Sequence, residues 1–355
     1  MASLFGAEHS KTDLLRRVGD MSQVAGIRMG ELADGPGRGV RTADFRTGSG
    51  LAFTALLDRG LDILWADYRG TSLAWCSSTG PVAPYYHERE GLGWLRGFAG
   101  GLVVTCGFTH YGNPSVDNGE QLGLHGRAAY LQANHVSYGE GWQGDRYEMW
   151  LEGDVRQTVV FGENLVLRRR ISARLGESVI RIHDVITNHG FKTMPLMLLY
   201  HCNLGYPILS ETTELLISSE VTPRDPDAAA ELADHKRFAA PKAGYKPVVF
   251  FHTPAPDKQG RANVALVNRA LGDGLGVYMR FPLDTLPYMA EWKLLDEAHY
   301  VCGLEPATNW GHGRPAEREA GRLRTIEPGE CRHFDLEIGV LESGAAIEAF
   351  AKSLA

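Results

Sequence analysis

Glu305 is the residue best placed to do chemistry. It follows a strand-like run, Tyr300-Val301-Cys302-Gly303-Leu304, and stands directly before Pro306. Side chains alternate along a strand, so Glu305, Gly303 and Val301 share one face. A carboxylate beside a residue with no side chain has open space in front of it. Pro306 has no N–H to donate and is expected to end the ladder there. Such a setting holds a general base rigid while its oxygens face a cavity. A strand-end glutamate paired to an arginine carries the same signature.

Other segments offer partners for it. In MPLMLLYHCNLGYP, alternation puts Met197, Leu199, His201 and Asn203 on one face, so an imidazole and an amide emerge together where the apolar run ends. A histidine at such a place is also a common hydrogen-bonded core residue. Gly123-Leu124-His125-Gly126-Arg127 sets an imidazole and a guanidinium two apart between glycines. Glycine lets backbone approach a ligand, and an arginine fork can hold paired oxygens. Asp58-Arg59-Gly60 reads as a hairpin turn that needs no function to explain it. There are 13 histidines but no HxH, HExxH or paired CxxC spacing. His125, His201 and Glu305 would form a metal site only if the fold gathered them. No metal site or cofactor is therefore expected, and no phosphate-binding loop, GxGxxG turn or GxSxG elbow is present.

The elements around these residues are short strands. Gly39–Phe45, Leu51–Leu57 and Leu61–Asp67 alternate and are joined by Gly-bearing turns. Arg146–Val155, Asn164–Ala173 and Ser178–Thr187 follow the same pattern. The Arg168-Arg169-Arg170 run could suggest an anion site, but alternation turns its members to opposite faces, and a solvated strand face is expected instead. Met194–Pro207 is nearly continuously apolar, as suits a strand buried on both faces. Leu102–Cys106, Pro247–His252, Ala262–Asn268, Leu275–Phe281 and Cys331–Val340 complete the strands. Residues 76–97 read as loop and 222–246 as a long excursion. Short helices are expected at Thr12–Val18, capped by Thr12 or Ser10, and at Ala345–Lys352.

Composition bounds the class. Of 355 residues 44% are hydrophobic and 22% charged, and 42 are glycine, well above the usual ~7%. A net charge of −7 argues against nucleic acid or an anionic membrane as partner. Five dispersed cysteines with no CxxC read as reduced thiols of a cytoplasmic protein. The opening MASLFGAEHSKTDLLRR is charged where a signal peptide needs an apolar stretch, and no run is long enough to span a membrane. With no repeat or composition shift, residues 1–355 are expected to form a single all-β domain. Residues 1–24 would be its N-terminal extension and 343–355 its C-terminal helix.

Arg59 in an early turn, HG at His125-Gly126, YHCNLGYP around His201 and GLEP at Glu305 occur in an order that resembles the galactose mutarotase (aldose 1-epimerase) superfamily. The GLHGR and WK…YVCGLEP segments are similar to those of a divergent bacterial branch. The resemblance spans about residues 25–342. It implies a large twisted antiparallel β-sandwich with an open groove on one sheet. It also implies His201 as general acid, Glu305 as general base, and Arg59 and His125 on sugar hydroxyls. Arg127 and Lys293, from the branch's own segments, extend the expected sugar-binding set. The chain carries YHCNLGYP where mutarotases have an NH.YFNL-like segment.

Mutarotation needs one acid and one base and no cofactor. Glu305 is accordingly expected ionised and His201 protonated, facing each other across a groove at roughly 5–8 Å. The same pair could remove a carbon-bound proton beside a carbonyl. A keto-sugar isomerase, epimerase or β-eliminating lyase, metal-assisted or not, therefore remains an alternative, as does a non-catalytic carbohydrate-binding protein. Trp75, Trp94, Trp292 and Trp310 could serve as stacking platforms in each case. The expected partner is a small sugar; the oligomeric state is open, with a homodimer as one option.

Overall fold

A computed structural model describes residues 2–354. Alternation makes the strands. In Arg146–Thr158, Tyr147, Met149, Leu151 and Val155 are buried, while Glu148, Trp150, Glu152 and Asp154 between them are only half-buried. That strand lies in an eight-stranded sheet running, in spatial order, through residues 133–143, 146–158, 164–174, 179–188, 331–341, 275–282, 261–268 and 213–217. Against it lies a seven-stranded sheet formed by 219–223, 248–254, 288–296, 299–307, 194–205 and 324–326, with 104–108 also pairing to 194–205. A five-stranded sheet, 26–31 to 71–72, adds a third layer. Every pairing between these strands is antiparallel. The architecture is an all-β sandwich with few helices, as expected.

The middle of the seven-stranded sheet shows why Met194–Gly205 is apolar almost throughout. Leu198, Tyr200, Cys202 and Leu204 turn into the main core. Met197 and Leu199 turn the other way, into a second cluster with Trp75, Trp94 and Phe98. Both faces are covered, so the strand has no solvent side, and His201 falls on the second face.

The strands Gly26–Glu31, Ala133–Gln143, Thr213–Ile217, Ser219–Pro223 and Tyr288–Asp296 were not expected, and three further details differ from the sequence reading. The strand containing Glu305 does not end at Pro306 but runs His299–Ala307, with Pro306 opposite Met289. On its other side the recorded pairs are Cys202 with Leu304 and Leu199 with Ala307, with none at Glu305 and Pro306. The missing N–H falls in that gap, so it breaks no bond. The N-terminal residues form a small hairpin, Ala2–Leu4 with Ala7–His9, before the helix Lys11–Leu15 that Ser10 caps. Its strands are too short to show a period.

The third difference lies in the arginine run, whose members alternate between the two faces as expected but whose inward member sits in a buried ion-pair network and not on a solvated face. Arg168 and Arg170 do face outward, toward Glu152 and Glu148. Arg169 points inward and is completely buried. Its guanidinium donates to Asp184 at 2.7 and 2.9 Å, to Asp62 at 2.9 Å and to the Gly60 carbonyl at 3.1 Å. Asp184 also accepts from the Tyr200 hydroxyl at 2.7 Å, and Asp62 from the Thr105 hydroxyl at 2.6 Å. Removing one partner of a buried ion pair leaves charge stranded in a medium that solvates it poorly. Arg169→Ala is expected to cost ~3–5 kcal/mol in urea unfolding, whereas Arg168→Ala, on the exposed face, should cost under ~1 kcal/mol.

Candidate active site

Glu305 and His201 are brought together by strand register. The ladder pairs Asn203 with Gly303 and Leu199 with Ala307, which sets Glu305 opposite His201 on the neighbouring strand. Cross-strand neighbours on one face stand within side-chain contact. His201 Nε2 accordingly lies 3.1 Å from Glu305 Oε1. The expected separation across a groove is thus corrected: the two groups are side by side on one wall. The approach is close enough for an ion pair, yet Oε1 and His201 Nδ1 both lack a hydrogen-bond partner. Gly303 makes room for this arrangement, since a Cβ there would stand 2.6 Å from Glu305 Oε1.

The pair lines a cavity of about 580 Å³. Trp75, Trp94, Phe98, Phe251 and Trp292 form its walls, and His125 faces it as well. The His201 ring is edge-on to Phe98 and Trp292, each at 5.3 Å, and to His125 at 5.7 Å. Such walls exclude water, and a dry setting disfavours the charged form of any group. Burial pushes the Glu305 carboxyl up to about 8 and the His201 imidazole down to about 4. Arg224, at the cavity edge, opposes the first shift only in part. Burial also holds His125 well below the usual imidazole value. Burial therefore works against the expected charge states, and with them against His201 as the acid and Glu305 as the base. It favours a protonated carboxyl beside a neutral imidazole.

Three expected sugar-binding residues lie elsewhere. Arg59 is buried beneath the Tyr130 ring, 4.1 Å from its centroid, and donates to the carbonyls of Ala129, Val82 and Gly97. It ties down the loops that carry Trp94 and Phe98 and is not exposed to the cavity. Arg127 is drawn away to Glu163 at 2.7 Å. His125 and Gly126 have positive φ values of 56° and 73°, so strand alternation fails between His125 and Arg127, and only the imidazole faces the cavity. Lys293 points to the opposite side of its sheet, where it donates to the Arg237 carbonyl at 2.7 Å.

The structure adds residues that carried no sequence signal. Asn113, Tyr111, Arg224, His299 and the Ser77–Thr79 stretch line the cavity. His299 begins the strand His299–Ala307, and the others come from loops or from the 222–246 excursion, where no periodicity marks a facing side. Trp310 does not line it; it stacks on Phe251 at 5.2 Å. Asn203 emerges beside His201 but is spent on the fold, donating to the Gly101 carbonyl at 2.9 Å.

The family model described as Domain of unknown function (DUF4432) matches residues 37–340. A search of curated proteins gives no match. Among solved structures, a candidate aldose 1-epimerase from Klebsiella pneumoniae subsp. pneumoniae MGH 78578 superposes with a TM-score of 0.87 at 28% identity, over 92% of this chain and 86% of that one. A galactose mutarotase-like protein from Clostridium acetobutylicum matches with a TM-score of 0.63 at 11% identity, over 90% of this chain and 99% of its own. Galactose 1-epimerase from Lactobacillus acidophilus NCFM gives 0.57 at 12% identity, over 90% of this chain and 99% of that one. At 11% and 12% identity these likenesses concern the fold, which is galactose mutarotase-like. No helix among the described residues is long and apolar enough to cross a membrane.

A pair that holds one proton has a kinetic signature. Protonating His201 removes the proton acceptor, and deprotonating Glu305 removes the donor. The kcat/KM profile of the free enzyme should be a bell with an acid limb near 4 and an alkaline limb near 8. A titration of turnover against pH checks this, and Glu305→Gln should abolish the alkaline limb.

Proposed function

The chain belongs to the family described as Domain of unknown function (DUF4432), and we propose that it is an aldose 1-epimerase, interconverting the anomers of a small sugar by acid and base catalysis. The observation that carries this reading is the contact of one proton donor and one proton acceptor, Glu305 and His201, 3.1 Å apart on the wall of an aromatic cavity. The Klebsiella pneumoniae neighbour, named as a candidate aldose 1-epimerase and 28% identical, supports it.

The chemistry follows from the geometry. The ring oxygen of a pyranose or furanose and its anomeric hydroxyl oxygen are bonded to the same carbon. A donor and acceptor in mutual contact can therefore serve both oxygens from one side. The Glu305 carboxyl gives its proton to the ring oxygen as the bond from that oxygen to the anomeric carbon breaks. His201 Nε2 takes the proton of the anomeric hydroxyl, whose oxygen becomes the aldehyde carbonyl. Glu305 is then a carboxylate and His201 an imidazolium, an ion pair strengthened by the low local dielectric. Rotation about the bond to the next carbon turns the other carbonyl face to the ring hydroxyl. Closure returns both protons to their starting groups, so the cycle consumes nothing and needs no cofactor. Trp75, Trp94 and Trp292 offer apolar faces for the sugar's C–H surfaces, and the His125 imidazole can bond a hydroxyl.

The keto-sugar alternative breaks a C–H bond, and the two reactions leave different records in heavy water. Proton NMR of a freshly dissolved pure anomer should show faster equilibration with the protein present and no loss of the C1, C2 or C3 proton signals. The sugar panel should include pentoses, deoxy sugars and 3-keto sugars. Glu305→Gln keeps the shape but cannot supply the proton, and should lower kcat by about 10²-fold or more with sugar affinity little changed. Deuterium entering C2 or C3 without faster anomer exchange would overturn the mutarotase reading. Sugar binding with no exchange of either kind would favour a binding protein.

A further inference from the structure

Behind the cavity wall, on the opposite face of the same sheet, His235, His252 and Glu291 converge, and we infer that they form a binding site for a divalent transition-metal ion of the zinc type. Glu291 is on the strand Tyr288–Asp296 and His252 on its neighbour Val248–Pro254. His235 belongs to the excursion that follows the helix Pro226–Glu231. His235 Nδ1 lies 2.8 Å and His252 Nε2 3.1 Å from Glu291 Oε2. All three candidate ligand atoms fall within 4.8 Å of one another. Two imidazoles and a carboxylate are a donor set that binds zinc with a fourth position left open, at ~2.0–2.2 Å per ligand. Small side-chain shifts would bring these atoms to such distances.

Two further observations point to a ligand. First, Glu291 and His252 are completely buried, and Glu291 Oε1 has no hydrogen-bond partner. Both imidazoles address the same oxygen, so the second lone-pair set is unused. Among the described residues no lysine or arginine pairs with this carboxylate. Lys293, two residues along on the same face, is held instead by the Asp234 and Arg237 carbonyls at 3.4 and 2.7 Å. An ionised carboxylate removed from water is stabilised by positive charge close by, and a divalent cation would supply it while engaging the free oxygen. Second, the Ser219 hydroxyl lies 2.8 Å from His252 Nδ1. A polar partner on the outer nitrogen is what fixes ring orientation and tautomer in metal-bound histidines.

The location gives the ion a role. Ala290, the residue before Glu291, is the cross-strand partner of Glu305 and lines the cavity. His235 and Arg224 belong to the same 222–246 excursion, and Arg224 stands at the cavity edge. A metal at His235, His252 and Glu291 pins that excursion to the back of the strand beside Glu305. It is a positioning device and takes no part in the proton transfers proposed above, so the inference does not rest on that reading.

The test uses the full chain, stripped with a chelator, dialysed and then offered Zn²⁺ alone. Elemental analysis should find one zinc more per chain in the wild type than in Glu291→Gln, a comparison that subtracts adventitious binding to the exposed thiols of Cys76 and Cys331. Zinc should raise the melting temperature of the wild type and not that of the variant. Co²⁺ in place of Zn²⁺ should give the intense visible bands of a four-coordinate site, a readout that needs no variant. Ser219→Ala, which leaves the three ligands in place, should weaken zinc affinity by about 10–100-fold. Equal zinc content in wild type and Glu291→Gln, with no cobalt bands and no thermal shift, would overturn the proposal. The cluster would then be a hydrogen-bonded core triad.

Discussion

The fully buried Arg169 side chain is the constraint around which the layers are assembled. It enters from the eight-stranded sheet, and its partners come from all three layers. Asp184 is on the adjacent strand, Asp62 on the N-terminal sheet, and Tyr200 reaches Asp184 from the seven-stranded sheet. An unpaired charge at that depth would be costly, so the three sheets have one satisfactory arrangement rather than several. The consequence reaches the cavity. Tyr200 precedes His201 in the chain, and Thr105, bound to Asp62, pairs with Tyr200 in the sheet. A strand whose inward face is fixed by this network presents its outward face in one register only. His201 and Glu305 meet for that reason.

The cavity applies the opposite logic. Where the core neutralises its charges in pairs, the site avoids them. Aromatic walls and burial push the Glu305 carboxyl up and the His201 imidazole down, which favours the neutral form of both. Glycine at 303 leaves room for the Glu305 carboxyl in this position, because a Cβ there would stand 2.6 Å from Oε1. Arg59 contributes at one remove, by fastening the loops of the aromatic wall. Stability and reactivity are thus assigned to opposite faces of the same strand.

Much of this was legible in the sequence because it depends on period. Alternation located the strands it named to within a few residues and put Met197, Leu199, His201 and Asn203 on one face, but it did not find Gly26–Glu31, Ala133–Gln143, Thr213–Ile217, Ser219–Pro223 or Tyr288–Asp296. It also linked Glu305 to Gly303. What alternation cannot give is which strands become neighbours, and so it missed that Glu305 and His201 are in contact. Neither can it see desolvation, which depends on walls contributed by residues 75–98, a loop without periodicity. The expected charge states run against burial for that reason. Alternation turned Arg169 away from Arg168 and Arg170, but it could not show that the inward face was core, because the acidic partners Asp184 and Asp62 come from other strands. Arg127 escaped a prediction from spacing through the left-handed backbone at His125. Lys293 was placed from its neighbours in sequence, although its sheet face is opposite to that of Trp292.

The central claim is that the resting pair carries one proton and that Glu305 holds it. Infrared difference spectroscopy of wild type against Glu305→Gln measures this directly, through the C=O stretch of a protonated carboxyl. Near pH 6, between the values of about 4 for His201 and about 8 for Glu305, the wild type should show that band and the variant should lack it. The band should fade as pH rises through about 8. A carboxylate signal from Glu305 already present near pH 6, with no protonated band, would contradict the account.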